Sequence, residues 1–249
     1  MSRYTQAEQA VRLWDTENVK DLLARRAYYV SGDRRRDEIN DLWVQDYYHR
    51  QTASYGSNWG FYVGMKHIIR YYVLDHANQE QQQLEANAEN AGIAVNNLNI
   101  GYGNASHHTL NTGHIHIAAD GQTARALFYD IGLDARRKRD GTTETYVNLG
   151  PVAVDCIKEH GVWKIWHLFV GYDHCLPLGE DYSQIPVIRP EGTHPYEAEF
   201  GTPDIPMKTY DPDFGWSQEF VTPPTEYTTF EASHSYGPEG HPRYKEELL

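Results

Sequence analysis

The chain has 249 residues, of which 40% are hydrophobic and 23% charged, enough to bury one sizeable core or two small ones and against disorder throughout. A formal charge of −13 argues against a nucleic-acid or anionic-membrane surface, which needs a positive footprint. No run approaches the roughly 20 apolar residues of a membrane helix, and the opening MSRYTQAEQA has no apolar core of a secretory signal, so the chain reads as a cytoplasmic protein.

Residues 15 to 30 place Val19, Leu22, Leu23, Ala27 and Val30 at helical spacing, with Asp15 or Thr16 as the cap. Gly32-Asp33 ends this helix, and Ile39, Leu42 and Trp43 give a second, shorter one. A short strand over Thr52 to Tyr55 and a turn over Gly56 to Gly60 lead to a third helix carrying Met65, Ile68, Ile69 and Tyr72. The polar stretch Gln79 to Asn90 is either its solvated continuation or an insertion.

From about Ser106 the period changes from 3.6 toward 2, which signals sheet. Residues 107 to 118, 123 to 134, 145 to 158 and 162 to 172 are four strand candidates, separated by turns at 119–121, 140–141 and 160–161. Consecutive antiparallel pairing is the simple topology. Helices followed by a meander mean an α+β fold.

The segment 175 to 249 differs in composition. It holds eleven of the twelve prolines and 14 Asp/Glu against 4 Lys/Arg. Proline at that density excludes central strands and long helices, while its many aromatic residues are unlike a disordered tail. The expected organisation is therefore a core of residues 1–174 and an extended arm, 175–249, packed on the core or on a neighbouring subunit. The two cysteines, Cys156 and Cys175, give no zinc-type spacing and read as free thiols.

Strand parity selects the candidate chemistry. Ala124, Ala126, Phe128 and Asp130 share one face of the second strand, where a desolvated carboxylate could serve as a base. Adjacent residues His107 and His108 point to opposite faces. If Ile115 and Ile117 face inward, strict alternation brings His107 and Asn111 with them, and only a bulge would bring in His108 instead. On the last strand, Trp163, Ile165, His167 and Phe169 share a face, which makes His167 either a second pocket imidazole or a satisfied core residue. His114 and His116 could chelate a metal, but no third ligand of suitable spacing accompanies them, so no metal is expected. The dense aromatic segment containing Tyr55, Trp59 and Tyr62 can line a pocket and stack on an aromatic ligand, or form a subunit interface. No dinucleotide, phosphate-loop or nucleophilic-serine motif occurs, and no cofactor is called for.

Four stretches in order, VKDLLARRAYYVSGDRRRDEINDLWVQD, GFYVGMKHII, HHTLNTGHIHIAADGQTARALFY and GVWKIWHLFV, resemble the SnoaL-like branch of the nuclear-transport-factor-2-like superfamily over roughly residues 15 to 174. The resemblance implies a strongly curved antiparallel sheet wrapped into a cone around a pocket, with the N-terminal helices on its concave face, in a dimer or trimer. It also implies a pocket tyrosine at Tyr28 and a pocket histidine at His107 or His108; Ser31 stands where many relatives carry an acid. The superfamily includes cofactor-free dehydratases and lyases, among them enzymes that deformylate lignin-derived aromatics. The leading expectation is thus a cofactor-independent lyase acting by proton transfer on a hydrophobic aromatic small molecule. Asp130, His107, His108, His167 and Tyr28 are its catalytic candidates, and Tyr55, Trp59, Tyr62, Asn111 and Phe128 would contact substrate. The alternatives are a non-catalytic binding module for an aromatic or steroid-like ligand, an isomerase, or a hydrolase using Asp130 with Asp134 or Asp155.

Overall fold

The computed structural model describes residues 4–58, 60–97, 105–138, 140–179, 203–206 and 221–240. Helix α1 (Gln6–Ser31) begins well before the expected cap, because Thr5 and Glu8 form a capping box: the Glu8 amide donates to Thr5 Oγ1 (3.3 Å) and the Thr5 amide to Glu8 Oε2 (2.7 Å). Asp15 is instead a buried residue within the helix. Lys158 Nζ lies 2.8 Å from its Oδ1, and Trp163 Nε1 donates to that oxygen at 3.0 Å, which fastens α1 to the sheet.

Two short helices, α2 (Arg35–Leu42) and α3 (Tyr47–Thr52), lead to the hairpin β1 (Ser54–Ser57) and β2 (Gly60–Val63). Helix α4 (Met65–Ile69) then runs through a wide turn, Arg70–Asp75, into α5 (His76–Ala91). The polar stretch after residue 78 is therefore a solvated helix. Four long strands follow: β3 (Ala105–Ile117), β4 (Thr123–Arg137), β5 (Thr143–Glu159) and β6 (Val162–Val170). They pair antiparallel in sequence order, as the alternating pattern predicts.

The sheet is not antiparallel throughout. β1 lies parallel to β6, with Ser54 opposite His167 and Ser57 opposite Val170, a contact between distant residues that no local pattern encodes. Two short strands extend the sheet past residue 174. β7 (His174–Pro177) pairs with the first half of β5, and β8 (Ile205–Pro206) pairs with β2. The resulting sheet, in the order β3-β4-β5-β6-β1-β2-β8, curves without closing.

Its inner face carries the main core. Val19, Leu22 and Leu23 of α1 pack with Ile39, Leu42, Trp43, Ile68, Val152, Val154, Ile165 and Leu168. A smaller core on the outer face joins Phe61, Ala153 and Phe169 to Val221 and Tyr236. Residues 221–240 therefore lie against the outer face. They are pinned there by Ala119 N donating to the Tyr227 carbonyl at 2.9 Å and by the Tyr236 amide donating to Asp155 Oδ2 at 2.8 Å.

Candidate functional site

The site is built on three adjacent strands. In register, His108 of β3 stands opposite Gly132 of β4, which stands opposite Asn148 of β5. Asp130 and Asp134 flank Gly132 on the same face, two residues away in each direction. A Cβ at position 132 would come within 2.6 Å of the His108 ring, so only glycine lets the imidazole lie flat there. The ring then reaches both carboxylates: Nδ1 is 2.7 Å from Asp130 Oδ2 and Nε2 is 3.4 Å from Asp134 Oδ1.

Burial by itself would favour a neutral imidazole. The hydrogen bonds and charges of Asp130 and Asp134 outweigh it and raise the His108 pKa to about 9. Burial likewise opposes ionisation of Asp134, but His108 and the guanidinium of Arg136 bring its pKa down to about 2. His108 is thus an imidazolium at neutral pH, clamped between two carboxylates.

A raised histidine pKa stabilises the fold most below the unfolded value of 6.5, and the contribution is lost as pH rises through about 9. A depressed Asp134 contributes above 3.8, and its share is lost as pH falls through about 2. The clamp's contribution to stability is therefore complete between about pH 4 and 6.5. An NMR titration of the wild-type imidazole should give a midpoint near 9, and Asp134→Asn should move it down; a midpoint near 6.5 in both proteins would show that the clamp does not form in solution.

Two acceptors beside this clamp, Asp130 Oδ1 and Asn148 Oδ1, are buried and have no hydrogen-bond partner among the described residues. The other half of the Asn148 amide donates to Asp134 Oδ2 at 2.6 Å. Opposite them α1 supplies Arg26, whose side chain is 7% exposed and whose Nε lies 3.4 Å from Glu38 Oε1. Burial favours loss of the Arg26 charge, but Glu38 foremost, with Tyr72, Tyr55 and Asp130, shifts its pKa upward overall. Glu38 is itself held by Trp43 Nε1 (3.1 Å) and the Tyr72 hydroxyl (2.6 Å). Tyr55 and Tyr72 stand 5.1 Å apart between ring centroids, and Tyr62 stacks on Tyr71 at 3.8 Å. Desolvation raises the pKa of Tyr55, Tyr71 and Tyr72, which keeps these phenols neutral.

Of the residues singled out from the sequence, Asp130, His108, Tyr55, Tyr62 and Phe128 lie on this inner side. A bulge accounts for the choice between the two histidines. The β3–β4 register slips between Asn111 and His114, where Thr112 takes φ 50°, so Ile115 and His108 share a face and strict alternation fails. His107 and Asn111 are correspondingly exposed on the other face. Tyr28 is 80% exposed, because Leu22, Arg26 and Val30 form the buried stripe of α1 and residue 28 falls opposite it.

His167 also departs from the expected face. A second bulge, between Asp155 and Cys156 on the β5–β6 ladder, turns His167 and Phe169 outward. There His167 Nδ1 meets Asp155 Oδ2 at 2.9 Å and Nε2 meets the Thr52 carbonyl at 3.2 Å. Ser235 Oγ donates to the same Asp155 oxygen at 2.5 Å. This serine, histidine and aspartate are adjacent but not ordered as a nucleophilic relay, since serine and histidine share one carboxylate oxygen and the far ring nitrogen faces a backbone carbonyl. They anchor the arm. Trp59 lies outside the described residues.

Sequence reasoning missed Gly132, Asn148 and Arg26. The segment Asp130-Ile131-Gly132-Leu133-Asp134 held a usable signal: by strand alternation, two carboxylates and a glycine share one face. Two further groups offer ligand atoms near one another, Asp33/His76/Glu80 and Asp46/His49/Glu159. Glu159 already accepts from the amides of Gln45 (2.7 Å) and Asp46 (3.1 Å) and meets His49 Nδ1 at 2.8 Å, so it fastens the chain entering α3 to the sheet. Arg35 lies 3.2 Å from Asp33 Oδ1 and brings a positive charge into the first group. His114 and His116 sit side by side, 4.9 Å apart, on β3.

Comparison with known proteins gives one family. The profile of the SnoaL-like domain matches residues 11–168. No curated protein matches the sequence. Solved structures similar to the chain include the hexachlorocyclohexane dehydrochlorinase LinA-type3 from Novosphingobium barchaimii, 14% identical, covering 73% of this chain and 99% of its own, with a TM-score of 0.45. Others are Aln2 from a Streptomyces species, 14% identical over 64% of this chain and 90% of its own (TM-score 0.42), and the Kfla4162 protein from Kribbella flavida, 10% identical over 65% and 93% (TM-score 0.44).

Proposed function

The chain belongs to the SnoaL-like family, and from that premise we propose that it is a cofactor-independent lyase that eliminates water from a hydrophobic aromatic alcohol by acid/base catalysis. The observation carrying this reading is the His108 imidazolium held by two carboxylates, beside a buried Asp130 oxygen that has no partner among the described residues. That arrangement offers a base and an acid within one small region, which is what an elimination needs. A binding module requires neither.

The roles follow from the contacts. Asp130 Oδ1 removes a proton from the carbon next to the one bearing the hydroxyl. The loosely held Nε2–H of His108, 3.4 Å from Asp134, turns to the departing hydroxyl and protonates it. The electron pair of the broken C–H bond becomes the new carbon–carbon double bond, and water leaves. Asp130 has gained one proton and His108 has lost one, so exchange with solvent restores both. Arg26 stabilises negative charge that develops on the substrate, and the rings of Tyr55, Tyr62 and Tyr72 supply the apolar wall suited to an aromatic group. His108, Asp130 and Asp134 side chains are 12%, 11% and 10% exposed, so bulk water is largely excluded from them.

The test is a panel of aryl-substituted secondary alcohols that carry a neighbouring C–H, assayed without added cofactor and with a chelator present. Saturable appearance of the conjugated alkene by ultraviolet absorbance is the expected result. Saturable binding of these alcohols with no alkene formed would make the protein a binding module.

A further inference from the structure

A cavity of about 200 Å3 lies on the opposite face of the sheet from His108, between the sheet and the arm. Arg125 of β4 is the residue the sheet contributes to its lining; Val221, Thr222, Thr225, Ser233 and Tyr236 are among those from the arm. The Arg125 guanidinium stacks 4.5 Å over the Tyr236 ring. Its side chain is only 11% exposed, and its Nε is buried without a hydrogen-bond partner among the described residues.

The carboxylate it pairs with is engaged through one oxygen only, and the oxygen facing Arg125 has no hydrogen-bond partner among the described residues. Asp155 Oδ1 stays 3.6 Å from Arg125 Nε, beyond a good hydrogen bond. Its Oδ2 takes the Ser235 hydroxyl at 2.5 Å, the Tyr236 amide at 2.8 Å and His167 Nδ1 at 2.9 Å. The ion pair with Asp155 uses the Nε side alone, and a second carboxylate at the terminal guanidinium nitrogens would add hydrogen bonds that the described residues do not supply.

We propose that this cavity binds a small monocarboxylate with an apolar body, held through its carboxylate by Arg125. The planar guanidinium fork matches a carboxylate in two parallel hydrogen bonds, which a spherical anion cannot exploit as well. Hydroxyl groups of Thr222, Thr225 and Ser233 line the same cavity and can complete the carboxylate's hydrogen bonds. Val221 and the Tyr236 ring give the wall its apolar part. The volume is below the roughly 300–1,000 Å3 of pockets for drug-sized ligands, so the ligand is no larger than a single ring with its carboxylate. The site is independent of the elimination chemistry proposed for the inner face, and because the arm supplies most of its lining, its occupant also ties the arm to the sheet.

Benzoate is the probe, titrated calorimetrically into the full chain with benzyl alcohol as the uncharged comparator. The expected result is saturable binding of one benzoate per chain, at least tenfold tighter than benzyl alcohol, accompanied by a higher melting temperature. Arg125→Gln should weaken it tenfold or more. Thr225→Glu, at an exposed position on the lining, guards against misfolding of the first variant; it leaves Arg125 in place, puts a competing carboxylate beside it and should weaken binding similarly. Asp130→Asn, on the inner face, should leave benzoate affinity unchanged. The proposal is overturned if no saturable binding occurs, if Arg125→Gln and Thr225→Glu both bind as wild type does, or if Asp130→Asn abolishes binding.

Discussion

Asp130→Asn is expected to lower kcat by on the order of 100-fold or more on any alcohol that the wild type dehydrates, as for the loss of a general acid/base group. The amide keeps the size and shape of the carboxylate but has no basic oxygen. It also removes one of the two charges that hold His108 as an imidazolium, so the histidine pKa should fall in the same variant, which provides a readout independent of turnover. Asp134→Asn should perturb that pKa too, with a smaller loss of kcat, because Asp134 already accepts from Asn148 and His108 and leaves no orphaned oxygen facing the site. If Asp130→Asn turned over within a few-fold of wild type while folding normally, Asp130 would not be the base.

The second large effect is on stability. Glu38 is fully buried and accepts hydrogen bonds from Trp43 and Tyr72 while pairing with Arg26, which is itself 7% exposed. Glu38→Ala removes the only negative charge that pairs with Arg26 among the described residues and leaves an indole N–H and a phenol without their acceptor. Breaking a buried pair in this way costs about 3–5 kcal/mol, or a melting temperature lowered by roughly 10 °C for a chain of this size. Urea unfolding at pH 7 would measure it. Glu38→Gln keeps one acceptor oxygen, so one of the two donors retains its partner, and it should cost less than Glu38→Ala. Equal stability of Glu38→Ala and wild type would show that the buried pair contributes nothing net to the fold.

The fold was largely legible in local sequence patterns. Alternation over residues 107–172 fixed four strands and their antiparallel order, and the heptad-like stripe from Val19 to Val30 fixed the buried face of α1. The parallel β1–β6 contact was not, since it joins residues more than a hundred positions apart. In the site, Asp130 and Phe128 follow from parity because β4 has no bulge between them. His108 and His167 depend on irregularities in neighbouring ladders, and each single-residue slip exchanges the two faces beyond it. At the first bulge a signal was available: Gly113 interrupts an otherwise regular strand, as a glycine at a bulge does. The second inserts Trp166 of β6 opposite the step from Asp155 to Cys156, and nothing in that side chain marks it. Arg26 and Glu38 escaped notice because a charged pair reads as solvated surface until the packing of Trp43 and Tyr72 around it is known.

The parallel contact also bears on the order in which the chain assembles. Strands β3 to β6 join their neighbours through short turns, whereas β1 meets β6 only after the chain from Ser57 to His167 has closed on itself. On chain-entropy grounds, that closure costs about 3 kcal/mol more than closing a five-residue turn. The meander should therefore be the early structure, with the β1–β2 hairpin docking onto its finished edge. Pulse-labelling hydrogen exchange during refolding would reveal the sequence of events: amides of Ala126, Leu127 and Val154 protected first, and those of Tyr55 and Gly56 later.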